Sequence, residues 1–249
     1  MAGSKPAAPR GSGAGDAAAS ASPPSATAIH ARLQNAILEH RLLPGTKLGE
    51  DRLADIFAVS RARIRQVLTQ LAHAQLVEIF PQRGAFVACP SPGQARDIFE
   101  ARQVVEPAVV QRLIATLTPA KLEQLRRHVA AETAARLAGD QRAIIRLSGE
   151  FHVLLAELAG NSAFARTMRD LCAVTCLIIS LYNAPTVHSC RSDEHAELIA
   201  AIARRDVAKA QQLVREHLAH IEQSLVLRPG EGGDDLENIL RGDTACAYS

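Results

Sequence analysis

Apolar and polar positions along the chain fall into two kinds of pattern, flanked by tails that have neither. Ile29, Leu33, Ala36 and Ile37 form one helical stripe that ends before Pro44-Gly45. In Leu53-Ala54-Asp55-Ile56-Phe57 the apolar residues cluster on one side of a second helix, and Ala58-Val59-Ser60 interrupts them. Ile64, Val67, Leu68 and Leu71 then recur at i, i+3, i+4 and i+7, the buried stripe of a third helix. Val77 and Ile79, followed by Phe86 and Ala88, alternate as strands do on either side of Pro81-Gln82-Arg83-Gly84. Helix, three-residue turn, helix and short hairpin over 28–90 predict a winged helix-turn-helix.

From Ala95 to about Leu227 the pattern is helical almost throughout, with helices expected near 94–116, 119–138, 140–159, 162–183, 191–204 and 206–226. Thr118-Pro119, Asp140, Ser162 and Asp206 read as starts, and Gly139 and Gly160 as stops. Short loops between them predict antiparallel neighbours, so residues 91–227 read as an all-α bundle. Pro90-Ser91-Pro92-Gly93 looks like a hinge between the two domains. Residues 1–27, rich in Ala, Gly, Ser and Pro, and residues 228–249, with a short helical scrap at Leu236–Leu240, have the composition of disordered tails. The fold class is mainly α.

Charge placement adds function to this outline. The net charge of +2 creates no strong global field, so affinity for a polyanion has to come from local clusters. Ser60 is a good N-cap for the third helix, and Arg61, Arg63 and Arg65 crowd that helix's first turns. The N-terminal end of the second helix of a helix-turn-helix is where base edges and phosphates are met. Arg83 and Gly84 add a basic tip to the wing. Three arginines on one helix would otherwise be an ordinary solvated face; this context makes them a DNA-contact set, with double-stranded operator DNA as partner. No apolar run reaches the roughly 20 residues that span a bilayer, and the start lacks a secretory signal. Five cysteines without framework spacing fit reduced thiols in a cytoplasm. Aromatic residues make up only 3% of the chain and tryptophan is absent, so Ala and Leu must fill the cores and the helices must pack closely.

The order of parts resembles the GntR family of bacterial transcription regulators, in its FadR-type branch with a C-terminal helical effector (FCD) domain. The residues that carry the resemblance are Leu43-Pro44-Gly45-Thr46-Lys47-Leu48, Leu53-Ala54, Val59-Ser60-Arg61, Ile64-Arg65-Gln66-Val67-Leu68, Leu76-Val77 and Arg83-Gly84. In the second half they are Phe99-Glu100-Ala101-Arg102, Phe151-His152, Ala159-Gly160-Asn161 and Asp193-Glu194-His195. The resemblance implies a homodimeric repressor or activator whose helical domain binds a small organic acid, often beside a metal ion. Two positions depart from the family's pattern. Ser148 stands where an aspartate metal ligand is usual, and Ala58 stands where the turn often has glycine. A left-handed conformation at Ala58 costs about 1 kcal/mol.

His152, His195 and His217 lie on three different predicted helices. Read alone, such histidines are more often surface or satisfied core residues; at the family's motif positions they become a candidate set for a divalent transition metal, with zinc the first choice. Three imidazoles leave an open position for water or an effector carboxylate. The resemblance directs Arg102 into the effector pocket, where a guanidinium can grip a carboxylate through two hydrogen bonds; a salt bridge to Glu106, one turn on, is the competing reading. Ser148 is expected to bond the effector or a water rather than the ion. Cys172 and Cys176 read as small buried hydrophobes, and Asp193-Glu194 as a helix start. A metal-sensing regulator and, further off, a metal-dependent enzyme compete with the ligand-responsive regulator. Against the enzyme, the chain has no nucleophile elbow and no phosphate loop.

Overall fold

The structure, a computed structural model, describes residues 23–182 and 193–227. The expected tails, the scrap at Leu236–Leu240 and the expected start of a helix at 191 lie wholly or largely outside those residues.

The first domain runs α1 (Ala26–Leu38), β1 (Lys47–Leu48), α2 (Glu50–Phe57), α3 (Arg61–His73), β2 (Val77–Phe80) and β3 (Gly84–Val87). Ser25 caps α1 by accepting from the Ala28 N–H. The stripe of α3 is the centre of this domain: Ile64, Val67, Leu68 and Leu71 are all buried, against Ile29, Leu33 and Ile37 of α1 and Leu53 and Phe57 of α2. The three strands are antiparallel in the order β1-β3-β2, with Val77 opposite Val87 and Lys47 opposite Phe86. β1 did not stand out in the sequence, because two residues are too few to show alternation.

Ala58 closes α2 at φ 51° and ψ 48°, squarely left-handed, so the anticipated strain is present. It is tolerated because the Ala58 and Val59 N–H groups bond back to Asp55 O and Ala54 O and end the helix at the turn.

The second domain comprises α4 (Pro92–Ala115), α5 (Pro119–Leu137), α6 (Gln141–Leu158), α7 (Ser162–Tyr182), α8 (Glu194–Ala203) and α9 (Val207–Ser224). Thr118, Asp140 and Asp206 cap α5, α6 and α9 through their side chains, as expected. Gly139 and Gly160 stop α5 and α6 at φ 67° and 70°, conformations that glycine adopts without a Cβ penalty. α7 starts at Ser162 as expected, and the cap is Asn161 just before it: its Oδ1 accepts from the Ala163 and Phe164 N–H groups. The core of the bundle gathers Val109, Leu113, Phe151, Leu155, Met168, Leu198, Ile202 and Val214.

The expected hinge takes a different form. Pro92 is the first residue of α4, where its missing N–H costs nothing, and Ser91 with Gln94 forms a capping box around the helix start. Pro90 is buried and its carbonyl accepts from the Tyr182 hydroxyl at 2.8 Å. The domains also share apolar packing, since Ala173 and Leu177 of α7 belong to the core of the winged domain. His40, just beyond α1, donates from Nε2 to the Cys176 carbonyl at 3.0 Å. The expectation of reduced thiols does not hold at Cys89, which is disulfide-bonded; Cys172 and Cys176 are free and buried.

Candidate functional site

Two groups of polar residues stand apart from the cores. The first is the exposed face of α3. Ser60 is its N-cap, with Oγ accepting from the Arg63 N–H at 3.3 Å, so the first turn is fixed and Arg61, Arg63 and Arg65 all face outward. Arg61 and Arg65 are paired with acids of α2: Arg61 with Asp51, and Arg65 with both oxygens of Glu50 at 3.0 and 2.7 Å. Sequence reasoning did not anticipate these pairs, although Glu50 and Asp51 open α2, where acids are favoured by the helix dipole. On the wing, Gly84 begins β3 and the Arg83 guanidinium lies 5.6 Å over the Phe80 ring. The structure therefore puts the turn, the arginines of α3 and the basic wing on one domain, as the pattern predicted.

The second group is buried. His152 on α6, His195 on α8 and His217 on α9 converge, each only 2–3% exposed. The Nε2 of His217 lies 3.1 Å from that of His152 and 3.4 Å from that of His195. All three ligand atoms fall within 4.8 Å of one another. Each histidine then turns its other nitrogen to a carboxylate. His152 Nδ1 bonds Glu106 of α4 at 2.7 Å, His195 Nδ1 bonds Glu132 of α5 at 2.9 Å, and His217 Nδ1 bonds Glu194 of α8 at 2.7 Å.

The protonation pattern follows. An ionised carboxylate only accepts, so each Nδ1 must carry the proton and donate it. In a neutral imidazole that leaves Nε2 with a lone pair, and the Nε2 atoms of the three rings approach one another within a few ångströms. Burial would raise the pKa of each glutamate. At Glu106 the Arg102 guanidinium and His152 outweigh it, at Glu132 His128 and His195 do, and at Glu194 His217 and His220 do, bringing all three to about 2. Burial dominates at His152, which it holds near 3 despite Glu106, and it also lowers His217. Ionised carboxylates behind the rings and Nε2 atoms turned toward one another give this centre the donor set that a divalent cation takes.

The donor set suits a divalent metal: zinc–nitrogen bonds of 2.0–2.1 Å in a tetrahedral array imply ligand nitrogens about 3.3 Å apart, close to the 3.1 and 3.4 Å from His217 to the other two rings, and all three ligand atoms lie within 4.8 Å of one another. Phe151 stacks on His195 with centroids 4.0 Å apart and fixes that ring's plane. A cavity of about 150 Å³ lined by Glu194, Glu197, Glu216, His217 and His220 reaches the edge of the centre.

Arg102 is fully committed to the fold on two of its three nitrogens. Nε bonds Glu106 Oε1 at 2.6 Å and Nη1 bonds Thr175 Oγ1 of α7 at 3.1 Å. The salt bridge weighed as the competing reading is therefore present, and Arg102 reaches the histidines only through Glu106. Among the described residues its Nη2 is the one buried side-chain nitrogen or oxygen with no partner. Ser148 is half-buried, one turn before His152 on α6. Sequence reasoning missed the roles of Glu106, Glu132 and Glu194. Glu194 was legible only as a helix start, and Glu132 carried no signal. Burial also pushes the Cys172 thiol up to about 12 and that of Cys176 to about 11, so neither is a ready nucleophile or ligand.

Known proteins share both halves. Residues 25–87 match the family of bacterial regulatory proteins called the gntR family, and residues 97–220 match the FCD domain. An HTH-type transcriptional regulator from an unstable DNA locus of Streptomyces ambofaciens is 30% identical over 194 residues, which cover 76% of this chain and 80% of that protein. The HTH-type transcriptional repressor RspR of Escherichia coli is 26% identical over 201 residues, 79% of this chain and 87% of that one. In fold, the chain is similar to a GntR transcriptional regulator from Rhodococcus sp. RHA1, with a TM-score of 0.70 at 24% identity, over 80% of this chain and 95% of that structure. These relatives are named as transcriptional regulators, not enzymes, and they speak against the metal-dependent enzyme as a reading of this chain. With its winged helix-turn-helix joined to a bundle that brings three histidines together, the chain belongs to the GntR family of bacterial transcription regulators and carries the FCD domain at its C-terminal side.

Proposed function

We propose that this regulator is a repressor that binds a two-fold symmetric operator as a homodimer and is released or retained by a small carboxylate bound in the helical domain. The observation that carries the ligand half of this reading is the centre itself: three Nε2 atoms converge while three carboxylates hold the opposite nitrogens. His152, His195 and His217 would hold a divalent transition metal, zinc first, with a coordination position left for the effector's carboxylate. When bound, the ion supplies a Lewis-acidic anchor for that carboxylate. The orphaned Nη2 of Arg102 supports an anionic effector, because a buried guanidinium nitrogen without a partner is a donor waiting for an acceptor. Ser148 supports it too, adding a neutral hydroxyl beside His152 rather than a competing charge.

For the DNA half, Arg61 and Arg65 make the main contacts of α3, with Arg63, Arg83, Gly84 and the Ser60 turn at the backbone and groove. Glu50 and Asp51 hold two of these side chains in place at an exposed surface and would be exchanged for phosphates and base edges on binding. That the relatives RspR and GlaR are repressors supports repression here.

Operator binding titrated with zinc, with a panel of small carboxylates, and with both tests the whole reading. A carboxylate that shifts operator affinity only in the zinc-loaded protein is the expected result. A response to metal alone would convert the protein into a metal sensor. A response to carboxylates that survives exhaustive chelation would remove the metal from the function. Light scattering that found only monomer, free and on operator, would remove the dimer.

A further inference from the structure

Three neutral imidazoles give a divalent ion no compensating charge, and Ser148 gives none either. The negative charge at this centre stands one hydrogen bond further out, on Glu106, Glu132 and Glu194, one behind each ring. These carboxylates come from α4, α5 and α8; α4 and α5 carry none of the three histidines, and α8 also bears His195. They are not incidental surface acids. Glu106 and Glu132 are 2% and 4% exposed, and Glu194 is half-buried. With the Arg102 guanidinium against Glu106, the remaining negative charge of the cluster is what one divalent cation neutralises.

We infer that Glu132 and Glu194 are the positioning residues of the metal centre: they fix the Nδ1–H tautomer of His195 and His217 and carry the charge that lets a neutral three-nitrogen site hold a divalent ion. Carboxylates placed behind ligating histidines raise ligand basicity, and their loss costs 10–100-fold in metal affinity. Glu106 occupies the same place behind His152, but it also neutralises Arg102, so its replacement would report on two interactions at once. Glu132 and Glu194 neutralise no guanidinium; their second partners are His128 and His220, which are not among the three ligating rings.

This inference rests on the metal reading above, and its test separates the two. Full-length protein is stripped with chelator and titrated with zinc against a competing chelator, and with Co²⁺ by its visible absorption. Wild type, Glu132→Gln and Glu194→Gln are compared. Glutamine keeps the size and the acceptor oxygen and removes the charge. Each variant is expected to bind zinc and Co²⁺ 10–100-fold more weakly, with the thermal midpoint of the stripped protein held near that of wild type. The Co²⁺ spectrum of each saturated variant should shift, because the basicity of one ligand has changed. Zinc affinity within twofold of wild type in both variants overturns the inference while leaving the metal reading intact. Wild type that takes up neither metal overturns both. Should Glu132→Gln depress the stripped protein's midpoint, Glu194→Gln decides the matter by itself, since its carboxylate lies nearer the surface.

Discussion

Replacing Arg102 with methionine isolates the value of the buried guanidinium at this centre. Methionine retains most of the side chain's length and none of its charge, leaving Glu106 buried with His152 alone. Both members of the Arg102–Glu106 pair are 2% exposed, so water cannot replace the guanidinium. Removing one partner of a buried ion pair costs about 3–5 kcal/mol, because the surviving charge is left uncompensated. At about 2–4 °C per kcal/mol for a chain of this size, the stripped variant should melt about 6–20 °C below wild type. The sign then reverses on adding zinc. Loss of a positive charge behind Glu106 makes the centre more attractive to a cation, so the zinc-induced rise in midpoint should be larger in Arg102→Met than in wild type. A ligand present at 100 times its Kd contributes about 2.7 kcal/mol, and each further tenfold in affinity adds about 1.4 kcal/mol. Scanning calorimetry of both proteins in chelator and in zinc measures all four midpoints. If the stripped variant is as stable as wild type, or if zinc stabilises the variant less than wild type, then the charge argument is wrong and Arg102 is only a packing residue.

Other predictions follow from the same geometry. Ser148→Asp should tighten zinc binding by at least tenfold in calorimetry, by adding a ligand with charge, and should weaken the response to a carboxylate effector. The Arg61→Ala/Arg65→Ala double variant should lose roughly 2–6 kcal/mol of operator affinity in a mobility-shift titration, if both arginines read bases; unchanged affinity would move recognition elsewhere on α3. Ala58→Gly should raise the stability of the winged domain by up to about 1 kcal/mol in a denaturant titration, because φ 51° is strained for alanine.

The parts of this molecule that sequence made legible are those governed by neighbours in the chain. The stripe Ile64, Val67, Leu68, Leu71 and the caps at Ser60, Thr118, Asp140 and Asp206 depend on spacings of three and four residues, and all appear as read. The three histidines were legible by a different route, through motif positions rather than any period. What escaped were the partners that fix them. Glu106 lies 46 residues from His152, Glu132 63 from His195, and Glu194 23 from His217, so no local pattern links a carboxylate to its ring. The same holds for Arg102: the contact to Glu106 four residues away was readable, but Thr175, 73 residues away, was not. The segment Pro90–Gly93 misled because proline and glycine signal a break in either of two ways, as a loose joint or as the rigid first turn of a helix. The serine cap and the buried Pro90 select the second.

The arrangement of α7 has a mechanical consequence. Its Thr175 hydroxyl is held by Arg102, and through Glu106 that connects to His152. The very next residue offers its carbonyl to His40, and Ala173 and Leu177 are embedded in the winged domain's core. Adjacent residues of a rigid helix cannot be displaced independently. A roll of α7 that strained the Arg102–Thr175 bond would also move the Cys176 carbonyl under His40 and the Ala173 and Leu177 side chains in the winged domain's core. The helix is thus a camshaft with one lobe in each domain: rearrangement at the histidine centre need not unfold anything, or even loosen the linker, to be felt at the base of α1.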